Sequence, residues 1–214
     1  ASAVVPIPEG VPPGRAVLGP NMETALNVVW DAGVKAGDRV AVVGAGVVGA
    51  TVAYLAARHP GTEVELVDVD PSKARLASAL GVRFALPGDA RPDADVVIDA
   101  SGAPAGLPTA LSLAGQEATV VEASWFGDQG VTLPLGAAFH SRRLRIQSSQ
   151  VGQLPPSQRA RWTYRRRLEK ALELLRDPVL DVVVSGENPF EELPELMQRL
   201  AAGESALCHR IVYG

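Results

Sequence analysis

Cysteine is all but missing from this chain, with Cys208 alone among 214 residues. An internal disulfide framework is thereby excluded, and the composition suits a reducing compartment. Histidine is also scarce: His59, His140 and His209 stand far apart, without the spacing of metal ligands. No apolar run reaches the roughly 18 to 20 residues that a membrane span requires. The first residues show no charged-then-apolar leader pattern, so the expected location is cytoplasmic, with no membrane partner. A formal charge of −4 gives neither a general attraction for nucleic acid nor an acidic tail. What remains is dominated by alanine, valine, leucine and glycine, in a length that suits one large domain or one domain with an appendage.

The most informative segment is Val40-Ala41-Val42-Val43-Gly44-Ala45-Gly46-Val47-Val48-Gly49. An apolar run turns through G-x-G-x-x-G directly into a helical pattern, as a dinucleotide-binding turn does. Gly44 would allow the tight turn, Gly46 would let backbone approach a pyrophosphate, and Gly49 would pack the new helix on the sheet. Free N–H groups at that helix start would hold phosphate without a basic side chain. Glycine-rich turns also arise for purely steric reasons, and the context decides here. The next apolar run, Glu63–Val67, ends at Asp68, 19 residues beyond Gly49. A carboxylate there would accept hydrogen bonds from the adenosine ribose hydroxyls and repel a 2′-phosphate, which favours NAD over NADP. Lys73 follows closely and softens that preference. Asp70, just before Pro71, reads as a helix N-cap.

Alternating patterns predict an α/β chain, a Rossmann-type doubly wound parallel sheet with helices on both faces. Residues 1–20, rich in proline and glycine, are expected to be extended and irregular. A helix is expected over 23–32, then strand 39–43, helix 47–58, strand 63–67, helix 71–80 and strand 82–86. Strand 95–100, helix 105–114, strand 118–122, a segment around 134–142 and strand 144–149 follow. The connection 87–94 is too short for a crossover helix, so one helix of the usual unit is missing there. A basic helical stretch 158–175, strand 180–184, helix 189–201 and strand 208–213 complete the chain.

From Thr24 to Tyr213 the chain resembles the cofactor-binding half of the medium-chain dehydrogenase/reductase superfamily, the zinc-type alcohol, sorbitol and threonine dehydrogenases. The matching pieces are Gly33-Val34-Lys35-Ala36-Gly37-Asp38-Arg39-Val40, the Gly44–Gly49 turn, Val67-Asp68-Val69-Asp70 with Lys73, Ala94–Gly102, and Asn188–Glu195. The resemblance implies an NAD(H)-dependent oxidoreductase acting on a small-molecule alcohol, polyol or ketone. It implies a cofactor site built from Gly44, Ala45, Gly46, Val47, Val48, Gly49, Asp68 and Lys73, with Ser101, Gly102, Ser124 and Ser148 along the nicotinamide side. It also implies a homodimer in which the last Rossmann strand, 144–149, pairs across a two-fold axis. Residues 1–20 and 185–214 resemble the ends of a GroES-like catalytic domain that is otherwise missing, leaving 21–184 as the dinucleotide-binding domain.

That missing domain supplies zinc ligands in the family. The remaining ligand would fall near Gly19 or Pro20, which cannot bind metal; Asn21 and Glu23 could serve only after a register shift. No zinc is expected in this chain, and no catalytic residue is assigned. Glu122 interrupts a buried-strand pattern, and an acid there is costly unless it is paired. It reads either as a functional buried acid or, in the plainer reading, as a strand-end residue beside solvent or an arginine. His140 reads as a surface residue, with a proton-relay role as the alternative. The run Arg159–Arg167 interleaves arginine with Trp162 and Tyr164, a nucleic-acid pattern when read locally. Leu168, Ala171, Leu172 and Leu175 share the opposite helical face, so the arginines are expected to line a solvated face or a subunit contact. Two other functions fit the same residues: a non-catalytic dinucleotide-binding module, and an S-adenosylmethionine methyltransferase. The latter also has a glycine-rich first turn followed by an acid, but the third glycine at 49 rather than 48 favours the dinucleotide.

Overall fold

A computed structural model describes residues 4–213. The parts of the expected terminal segments at 1–3 and 214 lie outside the described residues. Among the described residues eight strands are formed: β1 (Arg39–Val43), β2 (Glu63–Val67), β3 (Arg83–Ala85), β4 (Ala94–Asp99), β5 (Ala114–Glu122), β6 (Arg145–Ser148), β7 (Val184–Pro189) and β8 (Cys208–Val212). The helices are α1 (Pro13–Ala16), α2 (Gly19–Ala32), α3 (Val47–Ala56), α4 (Ala74–Leu80), α5 (Gly106–Leu113), α6 (Tyr164–Leu174) and α7 (Leu193–Ala201). Strands β1 to β6 make one sheet in the order β3-β2-β1-β4-β5-β6, with every pairing parallel. The doubly wound Rossmann expectation is met, including the absence of a helix between β3 and β4.

Strand residues alternate between two cores because successive side chains leave opposite faces. Val40, Val42, Leu66, Ile98 and Val121 pack with α2, α3, α4 and α6. Ala41, Val43, Val97 and Val120 pack with α5 and with Leu133 and Phe139 of the 131–139 segment. β1 is covered on both faces, which explains why its sequence reads as a continuous apolar run. The carboxyl ends of β1, β2, β4 and β5 open onto one edge of the sheet, and the glycine turn lies there.

Several boundaries depart from the sequence reading. The 1–20 segment is not wholly irregular, since α1 forms one turn at Pro13 and α2 starts at Gly19 with Pro20 in its first turn. Proline fits there because the first helical N–H groups have no intrahelical partner. Residues 180–184 were expected as a strand, but Pro178–Val183 is a 3₁₀ helix opened by Asp177, whose carboxylate accepts from Val179 N at 3.0 Å. Leu180 and Val183, three residues apart, are both fully buried, which is the spacing of a 3₁₀ turn. The basic helix is shorter than 158–175 and starts after Thr163, whose hydroxyl caps Arg166 N at 3.1 Å. Strands β7 and β8 pair in parallel as a separate two-stranded sheet. Arg210 of β8 donates to Gly14 O at 3.0 Å, so the two terminal segments touch each other.

Candidate dinucleotide site

The chain leaves β1 at Gly44 with φ of +97°, a left-handed conformation that favours glycine. A Cβ on Gly44 would stand 2.5 Å from Ser101 Cα, so the turn after β1 rests directly on the turn after β4. At Gly49 a Cβ would meet Gly44 O at 1.8 Å, which requires glycine for the helix to approach the turn. Gly46 differs, because a Cβ there would meet nothing within 4 Å and would project into open space. Gly46 is also the N-cap of α3, and no side chain caps that helix. Its first amides are therefore free to face a ligand, with the positive end of the helix dipole behind them. A cleft of about 240 Å³ lies at this point, lined by Gly44, Gly46, Asp68, Ser101 and Gly106 among others. A smaller hollow at the opposite edge is bordered by Arg39, Glu63, Glu65, Arg83 and Arg91, several of which pair with each other.

Asp68 sits at the tip of β2 and joins the glycine turn to the next helix. Its carboxylate accepts from Ala45 N at 2.6 Å and from Asp70 N at 2.9 Å. A carboxylate has about four acceptor positions, so two are left for the hydroxyls of a ribose entering the cleft. Asp70 is the cap expected of it, accepting from Ser72 N at 2.8 Å. Lys73 does not line the cleft; its ammonium lies 4.0 Å from Asp70 on its own turn.

The other half of the edge is formed by the turns after β4 and β5. Ser124 Oγ accepts from Gly102 N at 3.0 Å and reaches Asp99 O at 3.4 Å, which binds the two turns together. Ser101 lines the cleft, whereas Ser124 stands behind it. Ser148 is exposed at the end of β6 beside Glu122, and its neighbour Ser149 turns back to Asp31 at 2.7 Å. Glu122 pairs in register with Asp99 rather than with an arginine. Asp99 is fully buried and Glu122 partly so. Burial pushes both carboxyls above the ordinary range, and the adjoining Asp99 helps lift Glu122 to about 7.

Zinc does not fit the positions that the resemblance would give it. Gly19 and Pro20 form the first turn of α2, and Glu23 is held by Arg167 at 3.0 Å. Among the described residues no three His, Cys, Asp or Glu side chains cluster as a metal site. Arg167 corrects the sequence reading of the arginine run: it is 3% exposed, and it also bonds Asn27 Oδ1 at 2.5 Å and Val151 O at 2.6 Å. Arg159, Arg161, Arg165 and Arg166 are exposed as expected. His140 is exposed and precedes β6, at the edge opposite the cleft, where Arg142 and Glu117 join the start of β5 to that loop. No helix among the described residues is long and apolar enough to cross a membrane.

The family model of the 3-hydroxyacyl-CoA dehydrogenase NAD binding domain matches residues 39–82, from β1 through α4. Among solved structures, galactitol-1-phosphate dehydrogenase from Escherichia coli aligns with a TM-score of 0.82 at 16% identity, over 97% of this chain and 63% of that one. A protein described as a short chain alcohol dehydrogenase from Escherichia coli, complexed with NADH, gives 0.77 at 18% identity, over 95% and 60%. A zinc-binding dehydrogenase from Sinorhizobium meliloti bound to NADP gives 0.75 at 22% identity, over 97% and 60%. The fold is that of the cofactor-binding half of such dehydrogenases, and the chain spans less than two thirds of each. The resemblance read from Thr24 to Tyr213 thus holds at the level of fold.

Proposed function

We propose that this chain is the cofactor-binding part of an NAD(H)-dependent oxidoreductase of the medium-chain dehydrogenase/reductase superfamily, serving an alcohol, polyol or ketone substrate. The observation that carries this reading is the space at Gly46. It is the one place in the turn where a Cβ would meet nothing while the glycines on either side are closely packed, and it faces uncapped helix amides next to Asp68. The residues fit a dinucleotide. The α3 amides would take the pyrophosphate, Asp68 the adenosine ribose, and the turn Ser101–Gly102 the nicotinamide side, with Ser124 supporting that turn from behind. Bound there, the cofactor would supply the hydride acceptor or donor. The chain's own contribution is to bind and orient it.

Asp68 favours NAD, because its carboxylate would oppose a 2′-phosphate and Lys73 is turned toward Asp70. Residues 4–20 and 185–213, which touch through Arg210 and Gly14, belong in this reading to a GroES-like catalytic domain. Substrate contacts and the handling of charge on the substrate oxygen would then come largely from that domain, in a cytoplasmic protein. A second reading, a dinucleotide-binding module without turnover, is favoured by Gly19 and Pro20 at the ligand position and by the Glu23–Arg167 pair. Substrate-dependent NADH oxidation by this chain would remove it.

The test is a fluorescence titration with NADH, with NADPH and S-adenosylmethionine in parallel, on the wild type and Asp68→Ala. NADH is expected to bind more tightly than NADPH, S-adenosylmethionine not at all, and Asp68→Ala to weaken NADH at least fivefold. Equal NADH affinity in the variant overturns the ribose assignment, and binding of S-adenosylmethionine alone overturns the reading as a whole.

A further inference from the structure

Asp99 and Glu122 are the last residues of neighbouring strands and stand opposite each other in the ladder. Each follows by two residues a valine of the α5-side core, Val97 and Val120, so both side chains leave the sheet on that face. One oxygen of each carboxyl is engaged locally. Asp99 Oδ1 accepts from Ser101 N at 3.0 Å, and Glu122 Oε1 accepts from Ser124 N at 2.5 Å. The second oxygens, Asp99 Oδ2 and Glu122 Oε2, are buried and meet no donor among the described residues. The two carboxyl groups are register neighbours on that face of the sheet, and each acts on the ionisation of the other.

Among the described residues no cationic side chain compensates them. α5, from Gly106 to Leu113, contributes no ionisable side chain, and the 135–139 turn contributes none. Arg39 of β1 and Arg145 of β6 stand at the amino ends of their strands, as do Asp95 of β4 and Glu117 of β5 toward their own. Two bare carboxylates facing each other in this pocket would repel at low dielectric, whereas one proton between them satisfies both orphaned oxygens.

We infer that Asp99 and Glu122 act as a one-proton acid pair that positions the cofactor cleft, holding the Ser101, Gly102 and Ser124 amides in place and coupling dinucleotide affinity to pH. The path from pair to cleft is short. Asp99 holds Ser101, Glu122 holds Ser124, and Ser124 holds Gly102. Ser101 Cα stands where it would clash with any Cβ on Gly44, so a displaced Ser101 reaches the glycine turn directly. Both acids are positioning residues, acting through backbone amides rather than on the reacting atoms. The link to the cofactor rests on the dinucleotide reading; the link from proton to turns does not.

Glu122→Gln is the informative variant, because the amide can accept from Ser124 and donate to Asp99 without ionising; Asp99→Asn is its counterpart. Hydrogen exchange of the 100–106 and 122–126 amides, followed from pH 6 to pH 8.5, reads the turns without any ligand. The protection of wild type relative to Glu122→Gln is expected to be near one at pH 6 and to fall at least threefold by pH 8.5. NADH affinity is expected to weaken at least threefold over the same range in the wild type and to stay level in Glu122→Gln. Parallel exchange profiles in the two proteins, or in the wild type and Asp99→Asn should Glu122→Gln not fold, overturn the pair. Failure of NADH to bind at any pH overturns the dinucleotide reading and the coupling to it, while the exchange profiles still decide whether the pair holds the turns.

Discussion

The three glycines of the turn look alike in the sequence but do different work, and substitution separates them. Gly49→Ala forces a methyl into Gly44 O and is expected to cost about 1–3 kcal/mol or more as overpacking against rigid backbone. Gly46→Ala meets open space at a φ of −74° and should cost only about 0.5 kcal/mol as a poorer N-cap. It should nonetheless weaken NADH at least tenfold, by placing a methyl where the pyrophosphate would lie against backbone. Urea denaturation paired with NADH titration checks both, and a stable Gly46→Ala with unchanged affinity would move the phosphate elsewhere. The turn at Gly44 and the packing at Gly49 were legible in the sequence because the motif is local and lies within six consecutive residues. The partner of Glu122 was not legible, although the cost of an acid in that strand was. Asp99 lies 23 positions earlier, and only strand register sets the two side by side. Protonation of that pair also has a stability consequence. The folded protein binds the Glu122 proton up to about pH 7 against an ordinary 4.5. Stability should therefore fall as pH rises from about 4.5 to 7 and then level off. Glu122→Gln should flatten that fall in a melting series, and a parallel fall in the variant would place the proton on another group.

Among the elements, those with a strong period and clear punctuation were predicted within a few residues: β1, β2, α4 and α5 are examples. The failures share a cause, which is that a short apolar run carries no decisive period. Leu180-Asp181-Val182-Val183-Val184 reads as a strand, yet Asp177 and Pro178 start a 3₁₀ helix whose Leu180 and Val183 enter the core. The same Asp177 accepts from Tyr54 Oη at 3.0 Å and from Arg58 at 2.9 Å, so this one side chain joins the 3₁₀ helix to α3. Asp177→Ala removes the cap and leaves a phenol that is 3% exposed without its acceptor. A loss of about 1–3 kcal/mol is expected in urea denaturation. Burial and the bond to Asp177 push Tyr54 up to about 12, and the variant should bring its ionisation down toward 10 in a spectrophotometric titration. An unchanged Tyr54 titration would mean that burial alone sets it. Arg167 shows the opposite limit. It was read with its neighbours as lining a solvated face or a subunit contact, because the acceptors that draw it inward, Glu23, Asn27 and Val151 O, lie on elements remote in sequence.

At the scale of the whole molecule, one edge of the main sheet is open. β3 and β6 terminate it. β3 is only three residues long, whereas β6 presents four exposed residues, Arg145, Ile146, Gln147 and Ser148, along an unpaired side. A strand edge of this kind is a template for another strand unless something blunts it. Arg145 is its only charge, and it stands at the amino end of the strand. This geometry supports the pairing of β6 with its counterpart across a two-fold axis, which would join two six-stranded sheets into one. Light scattering coupled to size exclusion is expected to give twice the 22.4 kDa chain mass. Ile146→Lys, which puts like charges near the axis, is expected to shift the dissociation constant upward at least tenfold with little change in NADH affinity, because the cleft lies at β1, β2 and β4 rather than at β6. A wild type that stays at the mass of one chain at high micromolar concentration would remove the pairing. A dimer indifferent to Ile146→Lys would place the interface on another surface.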